Sequence, residues 1–210
     1  MGSREILYSG LMDLGLTIEN SRIGQLLDFI GLIDKWNKAY NLTAIRDKEE
    51  MVRLHLLDSL AILPYVAGRR IIDVGTGAGL PGIPLAICLP ETEFTLLDSN
   101  AKKTRFVQQA ILELKLKNVH VWHGRVERYR PDTLFDAVLC RAFASLDDIV
   151  KLTAHLLREG GVLLAMKGRS PAVELERLPA KSSVIPIHVP GIDAVRCLVQ
   201  IEPFENIEVR

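Results

Sequence analysis

The residues best suited to chemistry in this chain gather in three short stretches. The first, Asp73-Val74-Gly75-Thr76-Gly77-Ala78-Gly79, sets one carboxylate ahead of three alternating glycines. Glycines so placed let a backbone turn through positive φ and approach a ligand closely. The Asp73 carboxylate can receive a cation or a hydrogen-bond donor. The second stretch, Leu97-Asp98, puts a carboxylate 19 residues beyond Gly79, where it can accept both hydroxyls of a ribose. In the third, Gly124-Arg125-Val126-Glu127, Val126 can lie against an adenine and Glu127 can meet its edge. A nucleoside with a sulfonium and an ammonium fits all three, and S-adenosylmethionine is that molecule. A nicotinamide dinucleotide is the competing reading, because Gly77, Gly79 and Gly82 also spell its fingerprint. That fingerprint should open at the strand end, two residues earlier, and the Asp73 carboxylate would repel a pyrophosphate.

These stretches need strand ends to carry them, and the chain supplies them. Apolar segments at 70–74, 94–97, 119–122, 135–140 and 162–166 read as strands, with helices at about 80–89, 102–116 and 146–157. Phe106, Ala110 and Leu114 repeat at helical spacing in the second of these helices. Residues 184–189 and 196–201, joined through Pro190-Gly191, read as a closing hairpin. Alternating strands and helices predict an α/β fold: a Rossmann-like, mostly parallel seven-stranded sheet with a C-terminal antiparallel hairpin. Residues 1–66 are predicted to form a helical N-terminal extension packed on the core formed by residues 67–210. Its stripes are Ile23, Leu26, Leu27, Ile30, Leu32 and Ile33, then Met51, Leu54, Leu57, Leu60 and Ala61. A polar-aromatic connection, 36–45, joins them.

Composition narrows the class. Of 210 residues, 48% are hydrophobic, enough for a substantial core, and 25% are charged. Twenty-six basic residues balance 26 acidic ones, so a non-specific nucleic-acid coat is disfavoured and any RNA surface must be local. No apolar run approaches a membrane span, and the start carries no signal-peptide pattern. Cys88, Cys140 and Cys197 are odd in number and set among apolar neighbours, which predicts reduced core thiols of a cytoplasmic protein and no metal framework. A monomer is expected.

Longer strings carry a family resemblance. Trp36-Asn37-Lys38-Ala39-Tyr40-Asn41-Leu42-Thr43, His55-Leu56-Leu57-Asp58-Ser59, the glycine loop through Leu80-Pro81-Gly82-Ile83-Pro84, Leu97-Asp98-Ser99, Arg141-Ala142-Phe143-Ala144-Ser145-Leu146 and Lys167-Gly168 span nearly the whole chain. With them the sequence resembles the ribosomal RNA small subunit methyltransferase G family, also called glucose-inhibited division protein B. The resemblance implies a bacterial cytoplasmic enzyme that methylates N7 of one guanine in 16S ribosomal RNA, free or in the small-subunit particle. It also implies cofactor contacts at Gly75, Leu80, Val126, Glu127 and Arg141.

The residues agree with that chemistry. Guanine N7 holds a free lone pair and no proton, so in-line attack on a sulfonium methyl needs no general base, and positioning supplies the catalysis. No strong base constellation occurs. Arg141 can hydrogen-bond the cofactor carboxylate or guanine O6; Lys167 can meet RNA phosphate or the target base. Phe143 could stack on the base or sit in the core. His55 and Asp58, three apart on a helix, could pair with each other; on physics alone a buried, satisfied His55 is the plainer reading, and the resemblance adds a functional role. Lys102, Lys103 and Arg105 crowd a helix start, where the macrodipole disfavours cations unless phosphates lie near; Arg46, Arg53, Arg125, Arg128 and Arg130 extend that basic set. Two other functions fit the same cofactor residues: a small-molecule methyltransferase and a silent cofactor-sensing module.

Overall fold

The computed structural model describes residues 2–141, 144–168, 171–176, 178 and 180–202. Its centre is one seven-stranded sheet in the order β3-β2-β1-β4-β5-β7-β6. The strands are β1 (Arg70–Val74), β2 (Glu93–Asp98), β3 (Val119–His123), β4 (Phe135–Arg141), β5 (Leu157–Lys167), β6 (Ser182–Ile187) and β7 (Arg196–Ile201). The first five run parallel. Strand β7 is antiparallel to both β5 and β6. The order reverses direction between β1 and β4. A crevice therefore opens beyond their carboxyl ends, where such sheets bind ligands. Val74 pairs with Cys140 at that place, so Gly75 and Arg141 flank the crevice.

Helices cover both faces of the sheet. They are α1 (Ser3–Asp13), α2 (Asn20–Tyr40), α3 (Lys48–Met51), α4 (Asp58–Leu60), α5 (Gly82–Cys88), α6 (Ala101–Leu114), α7 (Leu146–Thr153) and α8 (Ala172–Glu176). One buried cluster joins Leu7, Leu26 and Phe29 of the N-terminal helices to Leu96 of β2 and Phe106 of α6. The Phe29 and Phe106 rings stack at 6.3 Å between centroids, and Trp36 lies 6.1 Å from Phe106. Truncating either fully buried phenylalanine to alanine removes about 3–5 kcal/mol. The sheet's other face is covered by α7 through Leu146, Ile149 and Val150. One tight place, at Gly82, holds α5 against the sheet. A Cβ on Gly82 would strike Leu96 and lie 2.8 Å from the Asp73 carboxylate.

Three local expectations change. The stripe from Met51 to Ala61 is not one regular helix. Residues Val52–Leu57 form a π-helical turn between α3 and α4, and such wide turns re-aim side chains, often at functional sites. Strand β5 starts at Leu157, five residues before the expected Val162, and α7 ends at Thr153. Leu157 pairs with Phe135, and Val162 with Ala137. Gly160, at φ 71°, lets the intervening residues bulge out between these two pairs. Strand β6 sits two residues earlier than expected, over Ser182–Ile187.

No helix among the described residues is long and apolar enough to cross a membrane. Cys88 and Cys140 are free thiols, and burial pushes each up to about 12. No group of His, Cys, Asp and Glu among the described residues could hold a metal ion.

Candidate active site

The crevice is a cavity of about 510 Å³ walled by the ends of β1 to β4. Val74 and Gly75 come from β1 and its loop, Leu97, Asp98 and Ser99 from β2. Gly124, Arg125, Val126 and Glu127 follow β3, and Arg141 ends β4. Its volume falls in the range of roughly 300–1,000 Å³ usual for cofactor sites. Asp98 is buried. Its Oδ2 accepts the Gly77 N–H at 2.9 Å and its Oδ1 accepts the Asn100 N–H at 2.8 Å. Each oxygen keeps a second lone pair for a ribose hydroxyl. Val126 is buried and gives an apolar wall, while Glu127 is exposed at the rim.

The glycine loop is held from beneath. Asp73 is 1% exposed; its Oδ2 accepts the Thr76 hydroxyl at 2.7 Å and the Gly82 N–H at 3.0 Å. Burial raises its carboxyl to about 6, against the lowering effect of those two bonds. The expectation that Asp73 faces the cofactor therefore changes. It lies under the loop and is absent from the cavity wall, as are Gly77, Gly79 and Leu80. Asp73 acts by fixing the turn. Gly75, Gly77 and Gly79 all have positive φ, at 72°, 61° and 80°, conformations glycine adopts without a steric penalty.

A second cavity, about 410 Å³, opens on the other side of Arg141. Ile45, Leu54, Ile62, Met166 and Ile187 make it largely apolar, and His55, Asp58, Lys167 and Arg196 are its other polar residues. The π turn sets His55 and Asp58 on its wall. They do not pair with each other, although their spacing would have allowed it. Asp58 Oδ2 instead receives Arg141 Nη1 at 3.4 Å, and its Oδ1 receives Arg196 Nε at 3.0 Å. The His55 Nε2 lies 3.1 Å from the Thr43 hydroxyl. Thr43 is placed there because Asn37 accepts the Thr43 N–H and donates to the Ile45 carbonyl, folding residues 41–45 back on α2. Burial, then the Arg141 charge, hold the His55 imidazole down at about 4.

The remaining candidates disperse. Lys167 lines the second cavity, but its ammonium is spent on the Ala144 carbonyl (2.9 Å) and the Glu174 carboxylate (3.2 Å), tying β5 to α8. Lys102 and Arg105 stand exposed on α6, whereas Lys103 and Arg125 belong to the first cavity's wall. Exposed Arg46 donates to Asn41, and half-buried Arg53 packs against the Gly191 turn. Of the basic set, only Lys103 and Arg125 stand on a cavity wall. Phe143 lies outside the described residues. Arg196 and the double clamp on Asp58 were not foreseen from sequence. Arg196 lies 138 residues from Asp58, and only the antiparallel placement of β7 brings them together.

Comparison with known proteins gives one answer. The family model described as rRNA small subunit methyltransferase G matches residues 22–197. Proteins named ribosomal RNA small subunit methyltransferase G are 54% identical over 201 residues in Nitrosococcus oceani (94% of each chain). In Hydrogenovibrio crunogenus the figure is 56% over 191 residues, 90% of this chain and 88% of that one. Among solved structures, a SAM-dependent methyltransferase from Aquifex aeolicus superposes with a TM-score of 0.57 at 18% identity, covering 72% of this chain and 93% of that one. A predicted O-methyltransferase from Agrobacterium tumefaciens gives 0.55 at 26%, covering 70% and 78%.

Proposed function

The chain belongs to the rRNA small subunit methyltransferase G family, and from that premise we propose that it methylates N7 of one guanine in 16S ribosomal RNA. It works in the cytoplasm as a monomer, on the RNA or on the small-subunit particle. S-adenosylmethionine is its methyl donor. The carrying observation is that one guanidinium, Arg141, lines both cavities. The first cavity holds the donor and the second admits the target base.

Each wall residue then has a stated task. Asp98 accepts the ribose hydroxyls, Val126 covers the adenine, and Glu127 meets its edge. Gly75, bare of a side chain, admits the methionine end; Gly77, Gly79 and Leu80 shape the loop behind it, locked by Asp73. When bound, S-adenosylmethionine supplies an electrophilic methyl on a sulfonium. Arg141 orients the two partners where the cavities meet. His55 and Lys167 keep positioning roles: His55 fixes the 41–45 segment through Thr43, and Lys167 holds the Ala144 carbonyl. No group need remove a proton, because N7 bears none. Catalysis by placement supplies several kcal/mol.

Incubating the protein with radiolabelled S-adenosylmethionine and unmethylated small-subunit particles, free 16S RNA or a small-molecule extract tests this. Nucleoside analysis should find 7-methylguanosine at one position. Label in a small molecule, or none in RNA, refutes the reading.

A further inference from the structure

The second cavity contains a side-by-side pair of opposite charge. Arg141 Nη1 sits 3.4 Å from Asp58 Oδ2, and Asp58 is 6% exposed. Asp58 is the one carboxylate on that wall among the described residues. Burying a carboxylate beside a ligand cavity carries a large desolvation cost. Two isoleucines would fill the space without it. Arg196 holds the other oxygen at 3.0 Å, so the carboxylate plane is fixed from the far side while one lone pair on each oxygen stays open. The neighbouring walls, Ile45, Leu54, Ile62, Met166 and Ile187, suit the faces of a flat heteroaromatic ring.

Resting on the guanine reading above, we infer that Asp58 and Arg141 together select the base, Arg141 donating to O6 and Asp58 accepting from N1–H. These two groups are adjacent on guanine's edge, an acceptor followed by a donor. The protein pair offers a donor followed by an acceptor, so both contacts match. Adenine carries the inverse order, an exocyclic N–H₂ beside the bare N1. It would face Arg141 with a donor and Asp58 with an acceptor, so both contacts to the base would be lost and like polar groups would oppose each other. A correctly read edge of this kind is worth about tenfold to 100-fold in discrimination. Arg196 is a positioning residue for Asp58. The arrangement leaves N7, which neighbours O6 across the ring fusion, on the Arg141 side, next to the donor cavity.

The test uses small-subunit particles rebuilt on 16S RNA that carries guanosine, inosine or 2-aminopurine at the mapped position. All three keep N7. Inosine keeps O6 and N1–H, and 2-aminopurine has neither. Wild type should methylate inosine within about threefold of guanosine and 2-aminopurine about 100-fold more slowly. In Asp58→Asn the guanosine rate should fall, and the ratio of guanosine to 2-aminopurine should shrink at least about tenfold, because the amide can donate to the bare N1. Cofactor affinity by calorimetry should stay within about twofold. An unchanged ratio in Asp58→Asn, whatever happens to the absolute rates, overturns the role of Asp58. If that variant does not fold, the wild-type series still decides: equal rates on inosine and 2-aminopurine overturn the proposal. A wild-type product other than 7-methylguanosine overturns the guanine reading beneath it instead.

Discussion

The Gly77 amide donates to Asp98 Oδ2 at 2.9 Å, tying the loop after β1 to the end of β2. The same carboxylate takes the Asn100 N–H, which starts α6. Asp98 therefore both shapes the cofactor cavity and lines it. Asp98→Ala should raise the Kd for S-adenosylmethionine at least about 100-fold, since bonds to a charged group are each worth about 1.5–3 kcal/mol. Asp98→Asn, which keeps an acceptor for only one side, should raise it about tenfold. Calorimetry reads both, and an unchanged Kd in the folded alanine variant would falsify the assignment.

Asp73 predicts a stability difference with a definite sign. Its folded-state carboxyl is raised from 3.8 to about 6. The folded protein therefore favours the protonated form, and the contribution present below about pH 4 is lost as pH rises through about 6. Asp73→Asn keeps an oxygen for Thr76 and Gly82, and can put its amide where the buried, unpartnered Oδ1 lies. Relative to wild type, the variant should gain stability between pH 4 and 7, on the order of 2–3 kcal/mol, seen as several degrees of Tm. Calorimetric scans at the two pH values check it. A Tm difference that stays constant, or moves the other way, sinks this account of the buried carboxyl.

Single-turnover methylation, with both substrates saturating, should be nearly flat from about pH 6 to 9. An unperturbed histidine titrates near 6.5. His55 is held at about 4, so it stays neutral across that window and is a weak base. A tenfold rise per pH unit that disappears in His55→Ala would show that a base is needed, and would count against N7 as the acceptor.

The basic set should separate by experiment as it does in space. Lys102→Ala with Arg105→Ala should lower the salt slope of RNA binding by roughly one to two, since each lost phosphate contact removes about 0.7–0.9. The Kd for S-adenosylmethionine should be unaffected. Lys103→Ala should weaken cofactor binding as well, because Lys103 stands on the cavity wall. Filter binding across a salt series and calorimetry give the two readings. If Lys103→Ala changes only the salt slope, Lys103 belongs with its neighbours on the RNA.

How far these features could be read beforehand depended on how local their causes are. Strands β1 to β3 announce themselves as short apolar runs closed by glycine or aspartate, and the carboxylate at Asp98 follows from its distance to the loop. Asp73 was legible as an acid in the right place but not as a buried one. Its neighbours Thr76 and Gly82 reach its Oδ2 only once α5 packs on the sheet. The Asp58 clamp was out of reach. It needs a π turn, which no periodicity announces, and Arg196 from a strand 138 residues beyond Asp58. The early start of β5 was hidden because a double glycine reads first as a turn, while here Gly160 and Gly161 bulge within a strand.

The walls of the two cavities come from different parts of the chain. Residues 74–141 enclose the first, whereas the second takes its residues from 45–62 and 166–197, apart from Arg141. Donor handling and acceptor choice are thus written in separable stretches of sequence, with Arg141 the side chain they share among the described residues. Chimeras that graft the outer stretches of a relative with another base preference onto this central one should keep their donor affinity and inherit the relative's target, provided Arg141 is retained. Drift in target choice can accordingly proceed by change at the two ends of the gene while its middle stays fixed.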